Sequence, residues 1–171
     1  LPRARRCGKR KGTKFRLKSS DMADFSARRV MMVDTQVRPS DVTKFPIIEA
    51  MLAVPREAYV PAAKQEVAYV GESVNIGSGR VLPEARTLAK MLDALDILPS
   101  ESVMDLACGL GYSTAVIARM AKSVVGVEPI ADLAAQAQAI LTAQGVSNAS
   151  VQVQATGNFD VIVIEGGVEE V

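Results

Sequence analysis

The sequence has 171 residues, enough for one domain with a sizeable core, and 49% of them are hydrophobic, which predicts a globular protein. Its apolar runs stay far below the ~20 residues of a membrane helix and no signal-peptide pattern opens the chain, so we predict a cytoplasmic protein with no membrane partner. The net charge is +1 and histidine is absent, which excludes Ser-His and Cys-His nucleophiles and most zinc sites, and we predict no metal site.

The charge is distributed unevenly along the chain. Residues 1–20 carry nine Lys or Arg and no acid, whereas the remainder carries eleven basic against nineteen acidic residues, a net charge of −8. We predict that 1–21 form a disordered extension, or non-native sequence ahead of a start at Met22, and that 22–171 form the domain. An acidic domain argues against nucleic acid as its main partner. Cys7 and Cys108 lie far apart in unlike settings, so we predict no disulfide.

The first part of the domain, 22–100, is predicted to be helical and irregular. Thr43 is the predicted cap of a helix that ends before Pro55, and the apolar spacing over 45–52 marks its buried side at Phe45, Ile48 and Leu52. The glycines and proline of 75–84, NIGSGRVLPE, predict a loop.

A second helix is predicted to start near Pro83. Its apolar residues recur at helical spacing and predict a stripe that belongs to the core: Leu88, Met91, Leu92 and Leu95.

From Ser102 onward, strand patterns alternate with helix patterns. The predicted strands are SVMDLA, SVVGVE, ASVQVQ and FDVIVIE. The predicted helices are STAVIARMA and IADLAAQAQAILTAQ, and Gly145 ends the second. This order predicts an open, mostly parallel α/β sheet, and VIVI, apolar on both faces, predicts a strand covered by helices on both sides. Ligands of such sheets bind beyond the carboxyl ends of the strands.

Two features indicate an incomplete sheet. Only ATGN separates the last two predicted strands, fewer residues than the crossover of about 10 that joins parallel neighbours. The chain also stops at Val171, directly after a strand of central type. We therefore expect a truncated or internally shortened sequence without its C-terminal strands.

The turn after the first parallel strand, Ala107 to Gly111, is the predicted ligand site. A Walker-type phosphate loop is excluded because no Lys or Arg lies between Asp105 and Ala118. A dinucleotide fingerprint would place Thr114 at its third glycine, and Asp105 would repel the pyrophosphate. A purely structural turn, with its acids solvated, stays open as an alternative.

S-adenosylmethionine fits this turn better, because it carries a sulfonium and an ammonium but no phosphate. Small residues at Ala107, Gly109 and Gly111 would let the backbone approach it closely. Glu128, at the end of the next strand and 23 residues after Asp105, can accept hydrogen bonds from both ribose hydroxyls. We predict Asp105, Ala107, Gly109, Gly111 and Glu128 as cofactor-binding residues.

Four stretches resemble the protein-L-isoaspartate (D-aspartate) O-methyltransferase family. The family's cofactor turn is similar to VMDLACGLGYSTAVIARM, and its ribose-acid strand to VVGVEP. The strand and loop of its methyl-transfer site are similar to FDVIVIEGGVEEV. A stretch rarely seen outside the family is similar to IIEAMLAVPREAYVP. The resemblance implies a Rossmann-like class I S-adenosylmethionine-dependent methyltransferase fold, in which the helical N-terminal part packs over the sheet. It also implies an enzyme that methylates protein or peptide carboxylates, for protein repair or modification.

The sequence also departs from the family pattern. Ala107 stands where the family usually has Gly, a change that the turn tolerates if φ there stays negative. The family's Thr-Ile-Ser has become Val81-Leu82-Pro83, which removes two hydroxyls, and Ser78 is a candidate substitute. Its Thr-Ala-Ala has become Glu165-Gly166-Gly167, and an ionised Glu165 would repel a carboxylate substrate unless protonated or paired.

Three functions follow as hypotheses. The first is a carboxyl methyltransferase in which no side chain is an obligatory catalyst, since a carboxylate nucleophile is already ionised; Glu165 would act as a base only for an amine or hydroxyl acceptor. The second is an inactive ligand-binding or scaffold protein that retains the fold. The third is a nicotinamide dinucleotide-binding module.

Overall fold

The structure, a computed structural model, describes residues 24–166. The predicted basic extension over 1–21, Gly167 and the end of the chain at Val171 lie outside the described residues. Between 24 and 166, no helix is both long and apolar enough to cross a membrane.

The N-terminal part consists of short helices, as its frequent prolines and glycines predict, and of one β-hairpin, which was not predicted. Its helices and strands are α1 (Phe25–Met32), α2 (Phe45–Ala53), β1 (Val74–Gly77), β2 (Arg80–Leu82) and α3 (Ala85–Leu95). Helix α1 continues through a π-helical turn, Val33–Val37, and a 3-10 turn, Arg38–Ser40. Two further 3-10 turns follow α2 at Arg56–Tyr59 and Ala62–Val67.

Helix α2 ends before Pro55 as predicted and buries the predicted Ile48, but its start and the rest of its buried face differ from the prediction. The N-cap residue is Lys44 rather than Thr43, and its ammonium binds the Asp96 carboxylate at 2.8 Å and the Asp93 carbonyl. Phe45 is 72% exposed, because the face that packs inward is formed by Ile47, Ile48, Ala50 and Met51.

Helix α3 confirms half of its predicted stripe. Leu88 and Leu92 are buried, whereas Met91 is half-buried and Leu95 lies at the exposed end of the helix. The helix ends at Leu95, and the next residue, Asp96, adopts a left-handed conformation. The outer half of the stripe therefore lies at the margin of the core.

The predicted loop over 75–84 is wrong, because most of these residues form an antiparallel hairpin. Val74 pairs with Leu82 and Asn75 with Val81, while Ser78 and Gly79 make the two-residue turn with positive φ. Such a turn matches the twist of the strands it joins. The glycines that suggested a loop thus serve the hairpin turn.

The C-terminal part is the predicted parallel sheet. Its elements are β3 (Ser102–Leu106), α4 (Tyr112–Ala118), β4 (Ser123–Val127), α5 (Ala131–Ala143), β5 (Ala149–Gln152) and β6 (Val161–Ile164). The strand order is β5-β4-β3-β6 with every pair parallel. The order changes direction between β3 and β6, so the ligand crevice of such a sheet lies beyond the carboxyl ends of these strands.

The short link between the last two strands does not join neighbours. Strands β5 and β6 lie at opposite edges of the sheet, and residues 153–160 connect them without a helix. The Asp160 N–H donates to the Ser102 carbonyl, and the Asp160 carboxylate accepts from the Ser102 N–H and hydroxyl at 2.7 and 2.8 Å. These bonds fix the start of β6 beside the start of β3.

One face of the sheet is covered and the other is open in the described part of the chain. Helix α4 packs on the face that carries Asp105 and Gly126, and α2 in turn contacts α4. On the opposite face, Ile162 is 50% and Ile164 43% exposed. The expectation that β6 is covered on both sides is therefore wrong for 24–166, because the 153–160 link supplies no helix.

Candidate active site

Three acidic residues meet at the carboxyl edge of the sheet. Asp105 lies in β3, Glu128 directly follows β4, and Glu165 directly follows β6. Leu106 is in register with both Val127 and Ile164, so the three strands end at the same level. The sheet brings together the two predicted acids, Asp105 and Glu128, and adds Glu165.

The turn after β3 runs largely in the left-handed region of backbone space. Ala107, Gly109 and Gly111 have φ of 61°, 56° and 86°. Ala107 would be tolerated without strain only if its φ were negative, and this condition is not met. A Cβ in the left-handed conformation costs about 1 kcal/mol relative to glycine. The Ala107 N–H and the Cys108 N–H both donate to the Val127 carbonyl, which ties the turn to β4.

The glycines of the turn also permit close packing. A Cβ at Gly109 would lie 2.8 Å from Cδ1 of Ile76, a residue of β1 in the hairpin. At Gly126, inside β4, a Cβ would lie 2.8 Å from the Thr114 hydroxyl and 3.0 Å from the Cys108 sulfur. Sequence reasoning missed Gly126, whose signal was a glycine inside a strand pattern.

Asp105 is fully buried and only partly hydrogen-bonded. Its Oδ2 accepts from the hydroxyls of Ser113 and Thr114, each at 2.7 Å. Its Oδ1 has no partner among residues 24–166. Burial raises the pKa of Asp105 to about 6 against the opposing effect of the two hydroxyls. A cationic group is the chemical match for this free, buried oxygen.

Glu128 is also fully buried, and its carboxylate is held by the backbone. Oε2 accepts from the Gly109 N–H and Oε1 from the Ile130 N–H, both at 3.1 Å. The Arg80 guanidinium, from β2, reaches the same carboxylate with three N–O distances of 3.1 to 3.3 Å. Sequence reasoning missed Arg80, which lies 48 residues away along the chain.

Glu165 extends the buried acidic group around Asp105. Its N–H donates to the Leu106 carbonyl at 2.9 Å, and its Oε1 is a buried atom with no partner in the described range. Burial, together with the nearby Asp105 charge, raises the pKa of Glu165 well above its usual value, and Ser113 and Arg56 oppose this. A raised pKa favours a neutral Glu165, which answers the predicted repulsion of a carboxylate substrate.

A buried cation lies beside these acids. Arg56, from the VPREAYVP stretch, is fully buried; its Nε donates to the Ala68 carbonyl and its Nη2 to the Pro83 carbonyl. The guanidinium carbon stacks 4.9 Å from the centre of the Tyr112 ring, which packs edge-on against Tyr59. The sequence signal for Arg56 was an arginine between two prolines. Only the fold shows that this arginine connects two loops to α4.

The hairpin residues Ser78, Val81 and Leu82 contribute no hydroxyl to the site. Ser78, the candidate substitute hydroxyl, lies at the exposed tip of the hairpin. Val81 is 53% exposed, while Leu82 packs into the core. The hydroxyls expected from the family pattern are thus not replaced by neighbouring residues of the hairpin.

Comparison with known proteins identifies the family. Residues 28–166 match the family model described as "Protein-L-isoaspartate(D-aspartate) O-methyltransferase (PCMT)". The chain belongs to the protein-L-isoaspartate O-methyltransferase family. Among curated family members, it is 33% identical to the protein-L-isoaspartate O-methyltransferase of Syntrophus aciditrophicus over 88% of its own length and 72% of that relative. It is 34% identical to enzyme 1 of Rhodopseudomonas palustris over 87% of its own length and 64% of the relative.

Solved structures agree with the family on the fold. A Plasmodium falciparum structure, described as a protein-L-isoaspartate O-methyltransferase in complex with S-adenosyl-L-homocysteine, aligns with a TM-score of 0.72 at 19% identity over 84% of this chain and 75% of that chain. Another isoaspartate O-methyltransferase aligns with a TM-score of 0.66 at 19% identity, over 85% of this chain and 49% of that one. The S-adenosylmethionine-dependent methyltransferase fold inferred from sequence is confirmed.

Proposed function

We propose that this member of the isoaspartate methyltransferase family transfers a methyl group from S-adenosylmethionine to a carboxylate of a protein or peptide. The observation that carries the proposal is the meeting of Asp105, Glu128 and the turn between them at the carboxyl edge of the sheet. Family membership supports both the cofactor and the reaction.

The residues present fit this cofactor. Glu128, oriented by two backbone N–H groups, would accept hydrogen bonds from the ribose hydroxyls. The unpartnered Oδ1 of Asp105 would accept the cofactor's ammonium, and the backbone at Ala107, Gly109 and Gly111 would lie against its methionine part and nucleoside. When bound, the cofactor supplies an electrophilic methyl group on a sulfonium.

The chain then has to position an acceptor and exclude water. A carboxylate attacks without a general base, so alignment supplies most of the acceleration. A protonated Glu165 would not repel an anionic acceptor placed beside the Arg56 guanidinium. The Nη1 of Arg56 lacks a partner in the described range. The acidic domain, and the location that we propose in the cytoplasm, favour a protein or peptide over nucleic acid as the partner.

Calorimetry with S-adenosylhomocysteine on the full chain tests the cofactor site. We expect binding at sub-millimolar ligand; Glu128→Gln should weaken it by at least about 10-fold, because an amide cannot accept two ribose hydroxyls as a carboxylate does. Exposed Glu72→Gln is the matched control. No binding at sub-millimolar ligand would reject the proposal. A second arm removes residues 1–21, which we propose to lie outside the domain, and should leave the affinity unchanged.

A second candidate function, a ligand-binding protein without turnover, has one observation in its favour. The loop hydroxyls of the family are missing here, and the exposed Ser78 does not replace them. An isoaspartyl-peptide methylation assay separates the two functions. Methyl transfer supports the enzyme, whereas normal cofactor binding with no methylation of a broad acceptor panel supports the binding protein. A nicotinamide dinucleotide is disfavoured because the buried Asp105 lies beside the turn, where its ionised carboxylate would repel a pyrophosphate.

A further inference from the structure

The hairpin β1-β2 reaches over the cofactor turn at two points. Ile76, on β1, packs against the backbone of Gly109 so closely that a Cβ there would be 2.8 Å from its Cδ1. Arg80, on β2, forms a two-pronged salt bridge with Glu128. The hairpin therefore lies against both the turn and the acid that the proposed function assigns to the ribose.

The hydrogen-bonding capacity of Glu128 is fully used by these contacts. An ionised carboxylate offers about four acceptor positions, two on each oxygen. The Gly109 N–H takes one on Oε2 and the Ile130 N–H takes one on Oε1. Arg80 takes the others, with Nη2 at 3.1 Å from Oε1 and Nε at 3.1 Å from Oε2. A ribose diol needs the same two positions.

The backbone donors and the arginine differ in how easily they can leave. Gly109 and Ile130 are fixed by the turn and by the start of α5, whereas the Arg80 side chain is 31% exposed at the start of the short strand β2. Its guanidinium can swing into water and remain solvated. The backbone donors thus orient Glu128 permanently, and the arginine is the exchangeable partner.

We propose that Arg80 sets the cofactor affinity of this chain by competing with the ribose hydroxyls for Glu128. This inference rests on the proposed function, in which Glu128 binds the ribose. Binding exchanges a charge-assisted, two-pronged contact for two neutral hydroxyl donors, so part of the ribose interaction is spent on releasing the arginine. Arg80 acts through Glu128, as a competitor for its carboxylate.

Calorimetry with S-adenosylhomocysteine on the full chain and its Arg80→Ala variant tests the competition. We expect R80A to bind at least about 10-fold more tightly, since a hydrogen-bonded charge no longer has to be displaced. Arg80→Lys, which keeps the charge but lacks the planar fork, should fall between the two. The matched control Arg86→Ala removes an arginine that pairs with Glu84 and should leave the affinity unchanged.

A double-mutant cycle separates this role from a general effect on the fold. In a Glu128→Gln background, R80A should change the affinity by less than about two-fold, because the competition requires the carboxylate. Melting curves establish that each variant is folded. Binding by R80A equal to, or weaker than, that of the wild type overturns the inference while leaving the proposed function intact. Failure of the wild type and every variant to bind overturns the proposed function together with the inference.

Discussion

Replacing Asp105 with asparagine should make the protein more stable at alkaline pH and leave it unchanged in acid. The carboxyl is fully buried, and its pKa is raised from 3.8 to about 6. Because the folded state holds the proton of Asp105 more tightly than the unfolded state, the contribution of Asp105 to stability is fully present below pH ~4 and is lost as pH rises through ~6. The difference in pKa corresponds to about 3 kcal/mol of lost stability above that range.

The asparagine variant lacks this loss because its side chain does not ionise. Its carbonyl oxygen can still accept from Ser113 and Thr114, so the two hydrogen bonds of the wild type are retained. The nearby Glu165 contributes in the same direction, since its raised pKa partly reflects the Asp105 charge. We therefore expect the stability difference between the variant and the wild type to grow by about 2 kcal/mol between pH 4.5 and pH 8, because about 1 kcal/mol of the loss has already occurred at pH 4.5.

Urea unfolding of both proteins at pH 4.5, 6 and 8 measures this difference. Asp132→Asn, which alters an exposed carboxylate in the first turn of α5, is the control and should run parallel to the wild type. Parallel curves for Asp105→Asn and the wild type would refute the reasoning, as would a variant that loses stability relative to the wild type at pH 8.

Three further predictions concern neighbouring residues. Ala107→Gly should raise the free energy of unfolding by about 1 kcal/mol in thermal melts, because φ there is 61°; an unchanged melting temperature would contradict the strain. Arg56→Met should lower it by at least about 3 kcal/mol, since the Ala68 and Pro83 carbonyls lose a buried charged donor, and Arg56→Lys should not restore it. The KM for an isoaspartyl peptide should rise with pH as Glu165 ionises and repels the acceptor, and Glu165→Gln should flatten that rise; equal pH profiles would exclude this role.

Elements with local sequence signals were predicted well. The strands and helices from Ser102 to Ile164 are confirmed, because alternating apolar runs and helical spacing are properties of contiguous residues. The same patterns put Asp105 and Glu128 at the ends of strands, and parallel strands bring such ends to one edge. The acids of the candidate site could thus be chosen before any contact was known.

Elements whose structure depends on distant partners were predicted poorly. The glycines of 75–84 signal a turn, but the pairing of β1 with β2 made a hairpin of the expected loop. The apolar spacing of α2 identified Ile48 but not the rest of its inward face, which is set by the elements that the helix packs on. The two apolar faces of VIVI predicted a covered strand, yet the coverage depends on a helix that 153–160 do not form.

The sequence by itself determined the order of the elements from Ser102 onward, the α/β class, the family and the acidic character of the site, because each is encoded in short runs of residues. Tertiary structure decided how those acids behave. It buried Asp105, which raises the pKa of that carboxyl, and burial together with the Asp105 charge raises the pKa of Glu165. It put Ala107 in a left-handed conformation. It also joined Arg80 to Glu128 across 48 residues. Burial and charge interactions depend on packing between segments that are distant in the sequence, so no local sequence pattern predicts them.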